Sequence, residues 1–142
     1  MPPFVPNGLY KIRNVEFSRD VAGFTEGARG PGPILGFIDR PGKINTLWRI
    51  KNVGGGGNEI IIESISAPGN FASAAQFANA RLFGTPDQTV WTVVKEDSGF
   101  YLQSPNAEFV WQLTRDGDLA QIVLIPFTGQ DNTKWTFDRV GN

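Results

Sequence analysis

The sequence contains no histidine and no cysteine. Without an imidazole or a thiol there is no Ser-His-Asp or Cys-His nucleophile, and no zinc site of the common ligand types. Disulfide staples are excluded too, and the lack of thiols leans toward a reducing, cytoplasmic setting. Charge is sparse: 13 basic and 14 acidic residues among 142 give a net charge of −1. The cations are scattered singly, so no electrostatic footprint exists for nucleic acid or an anionic membrane. No apolar run approaches the ~20 residues of a membrane-spanning helix. The opening Met1-Pro-Pro-Phe-Val-Pro-Asn-Gly8 has neither a basic stretch nor an apolar run, so no signal peptide is expected. No cofactor and no enzymatic activity are expected.

Glycine and proline, by contrast, are abundant, at 17 and 10 residues. That excess fits many tight turns between short strands, and hence an all-β chain. A short phrase is written three times: Thr46-Leu-Trp48-Arg-Ile50, Thr89-Val-Trp91-Thr-Val93 and Thr133-Lys-Trp135-Thr-Phe137. Thr, Trp and an apolar residue fall at alternate positions, the period of a strand with one buried face. A spacing of roughly forty residues, repeated three times, marks an internal repeat and decides the architecture.

Each repeat reads as four short strands. The first unit opens with the alternating Gly8-Leu-Tyr10-Lys-Ile12-Arg-Asn14, followed by strands near Arg19–Gly23 and Ile34–Ile38 and by the first Trp strand. Between residues 24 and 33 lies a loop too rich in Gly and Pro for regular structure. Asp39-Arg-Pro41-Gly42-Lys43 places Pro then Gly at the centre of a type II turn. After the flexible Gly54-Gly-Gly-Gly57, the second unit has a first strand over 58–63 and two weaker arms over 70–75 and 79–84. In the third unit, Arg115-Asp116-Gly117-Asp118 separates two apolar strands, a strong hairpin signal. The units span roughly 8–53, 58–96 and 98–140, a single domain without a convincing helix. Closing the sheet on itself removes exposed edges. Three four-stranded units then give a β-trefoil: twelve strands with pseudo-threefold symmetry, a barrel wall from the first and fourth strands of each unit, and hairpins capping one end.

Candidate functional residues follow from departures from the threefold pattern. Trp48, Trp91 and Trp135 share a register with Ile50, Val93 and Phe137 and read as core. Trp111 has no sequence counterpart; core packing is the favoured reading, and stacking on a sugar the alternative. Glu63, Glu96, Asp97, Asp116 and Asp118 are carboxylates by type only, and Asp116-Gly-Asp118 reads as a turn, since the further oxygen ligands of a metal loop are missing. In the lengthened first-unit loop, Ala28-Arg29-Gly30-Pro31 sets a cation on a projecting turn stiffened by Pro31 and Pro33. Such a pre-ordered segment suits insertion into a protease cleft, with Arg29 meeting a carboxylate at the base of the specificity pocket. A solvated loop Arg is the plainer alternative. Lys43 and Lys134, each in a turn before a Trp strand, are rival reactive residues, whereas Arg40 is followed by Pro41, a bond that serine proteases seldom accept.

Gly8-Leu-Tyr10-Lys-Ile12-Arg-Asn14-Val15 resembles the opening strand of the fungal β-trefoil serine protease inhibitors, the mycospins, and the three Trp-x-apolar strands agree. This resemblance implies an intracellular defence or regulatory protein that blocks a trypsin-like serine protease reversibly through an exposed loop; a monomer is expected. The sister mycocypins, inhibitors of cysteine proteases, share the fold but resemble the chain less. A carbohydrate-binding trefoil is the other alternative. Ricin-type lectins carry Gln-x-Trp where this chain has Thr-x-Trp, and use an Asp and an aromatic in each unit, a set not evident here.

Overall fold

The computed structural model describes residues 2–142; Met1, the first residue of the Pro-rich lead-in, lies outside them. The architecture is the β-trefoil. The first unit contributes β1 (Gly8–Asn14), β2 (Asp20–Phe24), β3 (Gly32–Ile38) and β4 (Trp48–Val53). The second contributes β5 (Glu59–Ser64), β6 (Phe71–Ser73), β7 (Phe83–Thr85) and β8 (Trp91–Glu96). The third contributes β9 (Gly99–Gln103), β10 (Val110–Leu113), β11 (Ala120–Ile125) and β12 (Trp135–Gly141). β1 pairs with both β4 and β12, and the chain of pairings β4–β5–β8–β9–β12 returns to β1 as a six-stranded ring. The hairpins β2–β3, β6–β7 and β10–β11 close one end, tied to one another by β3–β7 and β3–β11 pairs. Among the described residues, no helix is long and apolar enough to cross a membrane.

The repeated tryptophan does more than fill space. Each indole is buried, and each Nε1 donates to a backbone carbonyl of its own unit's hairpin: Trp48 to Ala22 (2.9 Å), Trp91 to Ala72 (2.8 Å) and Trp135 to Trp111 (3.3 Å). Burial of an indole N–H without a partner would be destabilising, so the carbonyl fixes how each hairpin docks on the wall. The threonine of the phrase has a separate task. In the 3₁₀ turns Ile44–Thr46 and Asp131–Thr133, the Thr46 and Thr133 hydroxyls donate to the carbonyls of Lys43 (3.3 Å) and Gln130 (2.6 Å). Thr89, in the unit lacking that turn, bonds Ser73 Oγ instead (2.7 Å).

These indole bonds make Ala22, Ala72 and Trp111 structural equivalents. Trp111 is therefore the large member of a large–small–small set at the centre of the fold. It is 1% exposed and stands edge-on to Trp91 (5.3 Å) and Trp135 (5.9 Å), so it offers no face to a sugar. Its Nε1 finds no partner among the described residues.

A charged seam anchors the first unit where the ring closes. Asp39 accepts from Lys11 Nζ (2.6 Å) and Arg13 Nη2 (2.7 Å), and Arg13 Nε reaches Asp138 on β12 (2.6 Å). Burial opposes ionisation of Asp39, but the hydrogen bonds from Lys11 and Arg13 prevail and hold its carboxyl below the ordinary range. The seam thereby fixes the start of the 39–43 turn, which carries one wall of the site described next.

Candidate functional site

The surfaces of the three hairpins differ at equivalent positions. Register gives the correspondence: Val21 faces Phe37, Phe71 faces Thr85 and Val110 faces Ile125, each pair one step from the residues that cap the indoles. On the second strand of the hairpin, where the other units have Thr85 and Ile125, the first unit places the aromatic ring of Phe37; the second unit's aromatic, Phe71, lies on the opposite strand of its pair. Gly23 makes room for the Phe37 ring, because a Cβ at that position would lie 2.8 Å from Phe37 Cδ2 and 2.9 Å from Thr46 Cγ2. Phe37 therefore lies low against β2 and remains half-buried.

Two loops rise on either side of this ring. In the first, Thr25 O accepts from Ala28 N (3.0 Å), and Gly27 sits at φ +82° at the bend. In the second, Gly42 follows Pro41 with φ +76°, as the type II turn requires. Both positions are left-handed and favour glycine. Lys43 Nζ and Glu26 Oε1 meet between the loops at 3.1 Å, an exposed ion pair that bridges two adjoining cavities. The larger, about 360 Å³, is walled by Glu26, Ala28, Arg29, Lys43 and Asn45, with Ser66 of the second unit. The smaller, about 260 Å³, contains Phe37, Arg40 and Thr46 and shares Glu26, Lys43 and Asn45. Asn45 Nδ2 donates to Phe24 O (3.0 Å), which fixes the amide at the junction of the two spaces. Its oxygen has no hydrogen bond among the described residues.

Arg40 is held from outside its own unit. Its guanidinium forks onto Asp118 in the β10–β11 turn (3.0 and 2.8 Å), and Asp118 Oδ1 also accepts from Ile38 N (2.9 Å). The Arg40 hydrogen bonds and then the Ile38 amide push the Asp118 carboxyl down to about 2. This wall is thus rigid and neutral overall.

The residues anticipated from sequence are placed as follows. Ala28 is half-buried, and Arg29, Gly30 and Pro31 are exposed. The first half of this loop turns back at Gly27 and forms the wall of a concavity, whereas a protease cleft takes a convex, extended insert. Lys43 is engaged by Glu26, and Lys134 is largely covered, 15% exposed, 3.5 Å from Asp131. Glu63 accepts from Gly69 N (2.9 Å) and Asp118 is clamped by Arg40, so the carboxylates considered earlier are dispersed. Among the described residues, no cluster of three acidic, thiol or imidazole groups is placed to hold a metal ion. Sequence reading missed Phe37, Asn45, Glu26 and Gly23. The available signal was Phe37 itself, an aromatic at the position held by Thr85 and Ile125 once the hairpins are aligned.

No family model and no curated protein matches the sequence. Solved structures do match. The Rhizoctonia solani agglutinin superposes with a TM-score of 0.86 at 22% identity over 99% of this chain and 100% of its own. The ricin B-like lectin of Macrolepiota procera, in complex with lactose, gives 0.77 at 21% identity, covering 96% of this chain and 99% of that one. A designed threefold-symmetric protein, ThreeFoil, gives 0.83 at 14% identity, with 94% and 99% covered. The neighbours include agglutinins and lectins, which overturns the expectation of a protease inhibitor with a trypsin-like serine protease as partner, and with it the mycocypin-like alternative. The mycospin resemblance reduces to the architecture it shares with these proteins, and the chain is a β-trefoil.

Proposed function

We propose that the protein binds carbohydrate, without turnover, at one principal site in the first unit. The observation that carries this reading is the half-buried Phe37 ring in the wall of the smaller of two adjoining cavities, which share the polar Glu26, Lys43 and Asn45. A pyranose has a face of C–H groups and a rim of hydroxyls. The ring supplies the apolar platform, and a few fixed polar groups orient the rim. Asn45 offers an amide oxygen as acceptor, Glu26 a carboxylate and Lys43 an ammonium, all lining both spaces. The two cavities together match the size of a small-ligand cleft, roughly 300–1,000 Å³, and extend far enough for more than one sugar ring. That the Macrolepiota lectin carries lactose makes galactose-containing disaccharides the first probes.

The test is a glycan array followed by calorimetry on the hits. Selective binding that competes with free sugar, and that falls about tenfold in Phe37→Ala, is the expected outcome. Binding that survives Phe37→Ala moves the site elsewhere, and an array without hits removes the reading.

A further inference from the structure

We infer that the larger cavity is a subsite for an acidic saccharide unit, one bearing a carboxylate or a sulfate ester, recognised by Arg29; this rests on the carbohydrate-binding reading above. The inference begins with the cations that line the double cavity. Lys43 is taken up by Glu26 at 3.1 Å, and Arg40 by Asp118 through two hydrogen bonds. Arg29 has no carboxylate and no hydrogen-bond partner among the described residues, yet it lines the larger cavity. Glu26 is the only acid on that cavity's wall, and Lys43 already balances it. The space therefore carries one uncompensated positive charge, in a chain whose net charge is −1.

Position strengthens the case. The turn closed by Ala28 N and Thr25 O precedes Arg29 and sets the direction in which the chain enters it, while Gly30 separates it from Pro31. A guanidinium presents a planar fork that matches two oxygens of a carboxylate or sulfate. The Phe37 platform lies in the adjoining cavity, and the two spaces share Glu26, Lys43 and Asn45. A ligand that fills both has a neutral ring over Phe37 and its acidic neighbour beneath Arg29. The preferred ligand is thus at least a disaccharide, with the charge on a unit next to the stacked one.

The experiment uses the full chain on an array of neutral, sialylated, uronic-acid-containing and sulfated glycans, with affinities of hits measured by calorimetry. An acidic glycan is expected to exceed its neutral counterpart by about tenfold or more, as charge-assisted hydrogen bonds allow. Arg29→Gln brings that ratio close to one, and Arg29→Lys restores part of it by keeping the charge without the fork. Raising ionic strength from about 0.02 to about 0.3 M erodes the ratio as well, because the screening length shortens. The sialyl and uronic-acid arms against the sulfated arm decide between carboxylate and sulfate. Neutral hits without an acidic preference, or a preference that Arg29→Gln leaves intact, overturn the inference and leave the carbohydrate reading standing. No hits of any kind overturn both. Arg29 is exposed, so an unchanged melting curve serves as the control for folding.

Discussion

Phe37, Thr85 and Ile125 occupy the same place on three hairpins that dock on the barrel in the same way. Around Phe37 the loops lengthen, two glycines adopt positive φ and a double cavity opens. Around Thr85 the hydroxyls of Ser73 and Thr89 bond each other across 2.7 Å. Near Ile125, Phe127 instead stacks on Tyr101 at 4.3 Å, a pairing of two surface rings. The barrel constrains only what faces inward: an indole, its carbonyl acceptor and the alternating aliphatic residues. Outward positions carry no such constraint, and in the first unit they border a cleft.

The largest effect expected from breaking this comparison is inward, at its one asymmetric position. Trp111→Ala makes the central set uniform with Ala22 and Ala72, but empties the space between Trp91 and Trp135. A loss of about 3–5 kcal/mol in urea unfolding is expected, with sugar affinity of the folded fraction unchanged. Loss below about 1 kcal/mol would mean that the hairpins close in on the gap. Next comes the platform. Phe37→Ala should weaken sugar binding by about 1–2 kcal/mol, whereas Thr85→Ala and Ile125→Ala should leave it within about twofold. Equal losses at all three positions would restore a threefold-symmetric lectin and remove the distinction between units.

A subtler change is Gly23→Ala. The added methyl meets Phe37 and Thr46 below 3.0 Å, so the ring must lift. Affinity is expected to fall several-fold with a smaller loss of stability, read by paired calorimetry and melting. The smallest effect concerns acid. The folded carboxyl of Asp118 is held at about 2, below the ordinary 3.8, and that of Asp39 is lowered as well. A depressed pKa contributes stability that is fully present above the unfolded value, near 4, and lost as pH falls through the folded one. Asp118→Asn should therefore flatten the decline in stability between about pH 4 and 2. Both partners are partly exposed, so the change is modest. An unaltered acid limb would show that the clamp contributes nothing there.

Much of the wall was legible because its signal is periodic. Thr-x-Trp fixed the three strands and their inward face, and Asp116-Gly117 marked the β10–β11 connection, with Gly117 at φ +89° in a bend just before the turn at Asp118–Leu119. The lengthened first-unit loop and the turn before each Trp were also recognised as the places where the units differ, but the loop is shorter than expected, 25–31, because Phe24 ends β2 and Gly32 and Pro33 open β3 by pairing with Gly84 and Phe83. The site within them was not legible. Phe37 becomes notable only when the hairpins are aligned by hydrogen-bond register, and unequal loops hide that alignment in the sequence. Glu26 and Lys43 meet across 17 positions with nothing local to pair them. Arg29 was noticed for its projection, a convex property, while the concavity beside it depends on Gly27, Lys43 and the second unit's Ser66. Trp111 looked solitary because its counterparts, Ala22 and Ala72, match it in backbone role and differ in everything else.

The Arg40–Asp118 clamp sets a timetable. Its partners are separated by 78 positions, with Arg40 made early and Asp118 late. Synthesis proceeds from the N-terminus, and domains fold as units. A nascent chain that has completed its first unit already contains Phe37, Glu26, Lys43 and Asn45, yet one side of the cleft stays unset. That wall is set only when the third hairpin has been made, so the cleft belongs to the first unit by sequence and to the finished ring by time.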